Sequence, residues 1–328
     1  MMSVFDFLRD TSGPAVAVEL AADHVSAASV ETRAGAAVIT VHASEPLPPG
    51  ALVPSLMAAN VVSRPVVMTA LQRVLERTGH PRRIGLVIPD LVAKVSLVRF
   101  EHVPARAADL DQLVRWQVKK TAPFPIEDAQ VSYQRGFTAA DGQEFIVSLA
   151  RRGVIEEYES LCGEAGAHAG IVDLATFNVI NAALATMLPG SPGPPGAEQD
   201  WLLVNVAADY ASIAILRGSS LIFFRNRATD AEGTLADVVH QAAMYYEDRL
   251  AGGGFARAFL TGGSGANARQ SADAEELRRS LQDRLQKPIE QVDARRAANL
   301  TDRITASPAL LDTLAPLVGL LLRGREAA

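Results

Sequence analysis

Apolar and polar residues follow one another along this chain in short blocks, and the period of the blocks switches between that of a strand and that of a helix. Residues 14–20, PAVAVEL, are almost wholly apolar and read as a buried strand. Residues 24–47, HVSAASVETRAGAAVITVHASEPL, hold two apolar runs broken at Arg33-Ala34-Gly35, which predicts strand, turn, strand. Over residues 66–77 the apolar positions Val67, Ala70, Leu71, Val74 and Leu75 recur at helical spacing, and RIGLVIPD at 83–90 returns to a strand.

The next block, residues 96–168, reads as a compact α+β subdomain inserted between larger elements. VSLVRFEHVP is strand-like. ADLDQLVRWQVKKTAPF is a helix with Leu110, Leu113, Val114 and Val118 on one face and Pro123 at its end. QVSYQRGF and QEFIVSLAR flank Asp141-Gly142, a hairpin signal, and VIEEYESLCGEAGA is a second amphipathic helix. A second half is expected over 170–304, opening on a helix at 175–188, with a Pro/Gly loop at 189–200 that can sustain neither helix nor central strand.

WLLVNVAADYASIAILRGSSLIFFRNR then repeats the opening pattern: residues 201–206 match 15–20, and 211–216 match 25–30. Two copies of one βββ unit predict a duplicated fold. Helices are expected at 235–250 and 275–285, with ARAFLTGGSGA between them as a strand entering a glycine turn. The closing PALLDTLAPLVGLLLRG reads as an apolar helix interrupted at Pro316 that completes a first lobe formed by residues 15–95.

Composition narrows the function classes. Hydrophobic residues make up 48% of the 328 residues, ample for a core, and the net charge of −6 argues against nucleic acid. Cys162 is the single cysteine, so no internal disulfide can form. The first ten residues lack a basic region and a long apolar core, and no apolar run approaches the ~20 residues that span a bilayer. A soluble, cytoplasmic protein is expected. The six histidines show no metal-ligand spacing, and no nucleophile elbow, Gly-Lys-Thr loop or dinucleotide fingerprint follows a strand.

Three stretches carry a resemblance. VRWQVKKTAPFPIEDAQVSYQ at 114–134 joins a helix, an aromatic-proline turn and a strand. LLVNVAADYASIAILRGSSLIFFRN at 202–226 is a long hairpin unit. FLTGGSGA at 259–266 and LAPLVGLLLRG at 314–324 close the chain. With the duplicated βββ unit, these resemble the actin-like ATPase superfamily. More narrowly, the chain is similar to the PilM family of type IV pilus assembly proteins, relatives of the cell-division protein FtsA, over most of its length. The resemblance implies an α/β, actin-like (ribonuclease H-like) duplicated two-lobe fold with the inserted subdomain.

It also implies two phosphate-gripping turns, Asp-x-Gly-Ser-Ser and Asp-x-Gly, whose glycines admit phosphate to the backbone N–H groups and whose acids hold hydrated Mg²⁺. The chain departs from both. The first turn reads Glu19-Leu20-Ala21-Ala22-Asp23-His24: Glu replaces Asp, and the glycine and serines are gone. Asp23 would repel a polyphosphate by roughly 4 kcal/mol at about 4 Å and an effective dielectric near 20. His24, mostly uncharged at neutral pH on its ordinary titration, offsets little of this. The second turn reads Asn205-Val206-Ala207-Ala208-Asp209, with Asn in place of the metal-side acid and Ala in place of glycine. Between Arg225 and the helix at Leu235 there is neither a glycine pair nor a lysine, which implies a reduced second-lobe subdomain.

Gly262, Gly263 and Gly265 are then either the remnant of an adenosine loop or a turn that needs positive φ. Asp173 is either a water-orienting acid or a helix cap. Trp116, Phe124, Pro125 and Ile126 form an aromatic-proline knot that is either subdomain core or the side of a partner-peptide groove. The resemblance implies a scaffold that docks the N-terminal tail of a PilN-like membrane protein between the first lobe and the inserted module. Such a scaffold would sit at the inner face of the inner membrane through that partner, with self-association as in relatives and ATP with Mg²⁺ bound weakly if at all. An active actin-like ATPase that switches partner binding, and the cytoplasmic actin-like component of a type II secretion system, are the alternatives.

Overall fold

The structure is a computed structural model and describes residues 13–139, 141–187, 199–263, 268–301 and 304–323, with backbone alone for 268–273. In chain order the elements are β1 (Val16–Leu20), β2 (His24–Arg33), β3 (Ala36–Pro46), α1 (Arg64–Arg77), β4 (Arg83–Ile88), β5 (Ala93–Phe100) and α2 (Ala107–Lys119). They continue as β6 (Ala129–Ala139), β7 (Gly142–Arg151), α3 (Arg152–Glu164), β8 (His168–Leu174), α4 (Ala175–Met187), β9 (Asp200–Val206), β10 (Tyr210–Arg217) and β11 (Ser220–Ala228). The last are α5 (Leu235–Arg249), β12 (Arg257–Gly262), α6 (Ala268–Leu285), β13 (Ile289–Glu290), β14 (Asn299–Leu300) and α7 (Pro308–Leu322).

The duplication is visible in the sheets. One runs β14-β3-β2-β1-β4-β8 and the other β11-β10-β9-β12-β13, so the same five-strand order occurs twice. In each copy the first strand pairs antiparallel with the second and parallel with the fourth. β1 is buried at all five positions because helices cover both faces, which is why PAVAVEL carries no alternation.

The layers follow from the core. Val67, Leu71, Val74, Val154, Tyr158 and Leu161 pack α1 and α3 on one face of the first sheet. Leu314, Leu317, Val318 and Leu321 of α7 cover its other face against Ala17, Ala28 and Val87. α4 lies beside α7 and sends Val179, Ile180 and Ala183 against Trp201, Leu203 and Ala214 of the second sheet. α5 and Leu281 of α6 cover the far side of that sheet. At the crossing of α4 and α7, a Cβ on Gly319 would overlap the backbone carbonyl of Asn178, so only glycine permits this approach.

Three expectations change. The helix expected to break at Pro316 runs unbroken from Pro308 to Leu322, because burial of Leu311 and of 314–321 outweighs the one backbone hydrogen bond that proline forfeits. The amphipathic helix assigned to the inserted block, α3, buries its face in the first-lobe core. β8, expected to open the second half, pairs parallel with β4 in the first sheet. Apolar spacing shows which face of a helix is buried but not what it is buried against. The remaining insertion is the sheet β5-β7-β6, covered by α2 through Leu110, Val114 and Val118. Its Asp141-Gly142 turn closes as expected, with Gly142 at φ 145°.

Candidate functional site

The two hairpin turns are built alike. Ala21 N–H donates to the His24 carbonyl at 2.9 Å, and Ala207 N–H donates to the Tyr210 carbonyl at 2.8 Å. The carbonyl of Asp23 accepts from Leu47 N–H at 2.7 Å, and that of Asp209 accepts from Thr229 N–H at 2.8 Å. Corresponding positions thus hold Glu19 and Asn205, Asp23 and Asp209, His24 and Tyr210, and Ser26 and Ser212. Ala22 and Ala208 sit at the tips with no glycine to admit a phosphate. The turns are near enough that the charge of Asp23 acts on Asp209.

The first turn is closed by its own side chains. His24 Nδ1 lies 2.7 Å from Asp23 Oδ1, its Nε2 lies 3.5 Å from Glu19 Oε2, and Ser26 donates its hydroxyl to the same Glu19 oxygen at 3.4 Å. The 3.5 Å separation is long for a hydrogen bond, so Glu19 acts on the ring mainly as a counter-charge. Burial works against an imidazolium here, but the two acids outweigh it and raise His24 to about 10. The expectation of an uncharged His24 is therefore overturned: the ring is a cation held between two carboxylates. Burial also acts on Asp23, and the hydrogen bond to His24 overcomes it, holding the acid below its ordinary value. His42 is driven the other way, to about 4, by burial and by the charge of His24.

The second turn is committed as well. Asn205, buried, donates its Nδ2 to Thr176 Oγ1 at 2.8 Å. Burial raises Asp209 to about 6; its own backbone N–H opposes this, and repulsion from Asp23 and Asp90 adds to it. Asp90 is a residue that sequence reasoning missed, noted only as the end of the strand at 83–90. It is fully buried and accepts from Thr176 N–H at 3.1 Å and from the hydroxyls of Thr176 and Ser212. Its partners are 86 and 122 residues away in the chain, so no local motif could have marked it.

Gly262 ends β12 and Gly263 follows it, at φ 77° and 76°. A Cβ on Gly262 would overlap the carbonyl of Val206, at the foot of the second turn. The packing alone requires glycine there. Gly265 lies outside the described residues. Asp173 accepts from Leu174 N–H at 2.9 Å and is ion-paired to Arg323 at 2.5 Å, so it is not free to orient a water.

These residues do not fit Mg²⁺ and a polyphosphate. Glu19 is turned onto His24, Asn205 onto Thr176, and the acids Asp23 and Asp209 stand at the tips. Among the described residues, no group of three or more His, Cys, Asp or Glu is placed to hold a metal ion.

A different cleft lies where the first lobe meets the inserted sheet. It has a volume of about 470 Å³ and is bounded by Ala58 and Ala59, by Asp128, and by Arg151, Arg152 and Glu156. The loop forming one wall is tied down: both oxygens of Glu157 accept backbone N–H groups, from Asn60 at 2.7 Å and Val61 at 3.0 Å. Tyr158 donates to Asn60 Oδ1 at 3.1 Å, and Arg151 donates to the Met57 carbonyl at 2.8 Å. In the same loop Val53, Met57 and Val62 are exposed, Val62 by 67%, as is Val66 at the start of α1. The sequence signal for this cleft was an apolar run, ALVPSLMAANVV, with neither helix nor strand period.

The aromatic-proline knot divides. Phe124 and Ile126 pack half-buried against the core of the inserted sheet, and Pro125 is exposed. Trp116 is 59% exposed with Lys120 Nζ 3.9 Å from its ring centroid. None of the four lines the cleft.

Comparison with known proteins bears on the family and the fold. A family model described as "Type IV pilus assembly protein PilM" matches residues 17–252. Among solved structures, a PilM-PilN type IV pilus biogenesis complex superimposes with a TM-score of 0.76 at 17% identity, over 96% of this chain and 99% of that chain. A Bacteroides thetaiotaomicron protein with an actin-like ATPase fold and unknown function matches at 12% identity over 95% and 99%, with a TM-score of 0.46. The cytoplasmic domain of EpsL, an inner-membrane component of the type II secretion system of Vibrio cholerae, matches at 11% identity over 95% and 94%, with a TM-score of 0.45.

Proposed function

The chain belongs to the type IV pilus assembly protein PilM family, with its actin-like two-lobe fold, and from that membership we propose that it is an assembly scaffold which captures the N-terminal tail of a PilN-like membrane protein. The observation that carries the reading is the cleft between the 51–63 loop and α3. It offers Arg151, Arg152, Asp128 and Glu156 beside Ala58 and Ala59, and the loop that walls it exposes Val53, Met57 and Val62, which suits a short peptide of mixed apolar and charged residues. The loop is pinned by Glu157 and Tyr158 before any ligand arrives, so little ordering entropy opposes binding. No helix among the described residues is long and apolar enough to cross a membrane, and in this reading the protein reaches the membrane through its partner.

The reading includes loss of efficient ATP hydrolysis. It is supported by the first turn, whose acids are engaged by His24 and leave a net negative charge, by the commitment of Asn205, and by the packing requirement for Gly262. The test is calorimetry with two ligands: a synthetic peptide of the N-terminal tail of the PilN-like protein encoded in the same genome, and MgATP. We expect heat from the peptide and none from nucleotide at millimolar concentration. Micromolar MgATP affinity, or no binding of the tail, overturns the proposal.

A further inference from the structure

A buried polar cluster joins the two lobes, and neither the tail cleft nor the turns account for it. Asp90 follows β4 in the first sheet and is fully buried. Its Oδ1 accepts Thr176 N–H at 3.1 Å, and its Oδ2 accepts the Thr176 hydroxyl and, at 2.5 Å, that of Ser212. Thr176 opens α4 between the sheets, while Ser212 lies in β10 of the second sheet. Asn205 of β9 donates to Thr176 Oγ1 at 2.8 Å, which leaves the threonine proton for Asp90. Asn226 of β11 donates to the Asp90 backbone carbonyl at 3.0 Å. One residue of the first lobe is thus held, directly or through Thr176, by all three strands of the second βββ unit.

A carboxylate removed from water is tolerated only while its donors stay in place. Rotation of the second sheet by an ångström or two would strand Asp90 with fewer partners and no water. We propose that Asp90 is a fastener that fixes the two lobes in a single relation without any nucleotide, so that the protein presents its surfaces to partners as one rigid body. Burial raises Asp90 to about 6 against the pull of Ser212 and Thr176, so at neutral pH the carboxylate is mainly in the acceptor form this donor set requires. The proposal does not depend on which tail or partner the protein binds.

The lobes can be followed by spin labels at Gln72→Cys on α1 and Gln241→Cys on α5, both exposed positions. Cys162 is buried and burial pushes its thiol up to about 12, so it stays unlabelled. We expect one narrow distance distribution, unchanged by millimolar MgATP. In Ser212→Ala and Asp90→Asn the distribution broadens, and the Thr176 amide exchanges with solvent about tenfold faster or more. If Asp90→Asn does not fold, Ser212→Ala decides alone. A broad distribution in the parent, a shift with MgATP, or a folded Ser212→Ala that stays as narrow as the parent overturns the proposal. Faster Thr176 exchange with unchanged distances also overturns it, because the cluster would then have only local effect.

Discussion

Gly262 lies against the backbone carbonyl of Val206 so closely that a Cβ on it would overlap the oxygen. Its neighbour Gly263 has the same positive φ but meets only side chains, with Ala274 Cβ 3.2 Å from the position of an added Cβ, a contact that a small shift of Ala274 relieves. Packing therefore separates two glycines that look equivalent in the sequence. Gly262→Ala should destabilise the protein by about 3 kcal/mol or more, from backbone strain plus overlap. Gly263→Ala should lose about 1–2 kcal/mol, mainly from backbone strain, with a small displacement of Ala274. Urea unfolding midpoints at constant slope measure both. Equal losses would mean that β12 can move away from β9 and that the turn is kept for another reason.

The Asp23–His24–Glu19 cluster makes a prediction with a definite sign. The folded His24 titrates near 10 against an ordinary 6.5, so its contribution to stability is fully present below 6.5 and is lost as pH rises through 10. Across that window the parent should lose stability relative to His24→Gln, by up to about 1.4 kcal/mol per pH unit. In NMR titrations the His24 ring should keep its proton well above neutrality. His42, held near 4 by burial and by the charge of His24, should rise in His24→Gln. An unchanged His42 would show that the two rings are not coupled.

Much of the architecture was legible because it is local or repeated. PAVAVEL and WLLVNV announced equivalent strands, Arg33-Ala34-Gly35 and Asp141-Gly142 announced turns, and Val67, Leu71 and Val74 announced the buried face of α1. What could not be read is where distant pieces meet. The apolar face of α3 is as plain in the sequence as that of α2, but only tertiary packing sends Tyr158 into the first lobe and Val114 into the insertion. Asp90 reads as a strand-ending Pro-Asp pair until Ser212 arrives from 122 residues on. The charge of His24 is likewise a property of its acids in three dimensions. The departures of the two turns from the phosphate-gripping pattern stand in the sequence, and only the structure shows which partners Glu19 and Asn205 take.

Restoring a single acid should not restore a metal site. Asn205→Asp puts a carboxylate where the actin-like pattern has one, but it removes the Nδ2 donor to Thr176 and sets a negative charge beside Asp90. We expect a loss of about 1.5–3 kcal/mol, typical of a broken buried hydrogen bond with a charged partner nearby. The loss should persist in millimolar MgATP. A ligand present at a hundred times its Kd would instead add about 2.7 kcal/mol. Thermal unfolding with and without MgATP distinguishes these outcomes, and recovery of stability by MgATP would show that the turns can still grip a nucleotide.

Met57 and Met244 offer a matched pair for the cleft. They are exposed to nearly the same extent, 47% and 50%, but Met57 borders the cleft whereas Met244 lies on α5 of the second lobe. As surface positions, Met57→Asp and Met244→Asp should each change stability by no more than about 0.5 kcal/mol. Their effects on tail binding should differ. Loss of one apolar contact and introduction of a carboxylate near Asp128 and Glu156 should weaken the tail about tenfold in Met57→Asp, while Met244→Asp binds as the parent does. Arg152→Glu tests the charged wall of the same cleft, since among the described residues the Arg152 guanidinium makes one long 3.5 Å contact, to the Ala129 carbonyl, and should be available to a ligand. Fluorescence anisotropy with a labelled tail peptide reads all three variants. Equal affinities for Met57→Asp, Arg152→Glu and the parent would move the tail to another surface. A loss in Met244→Asp alone would identify that surface as the outer face of α5, where Tyr245 packs on Phe223.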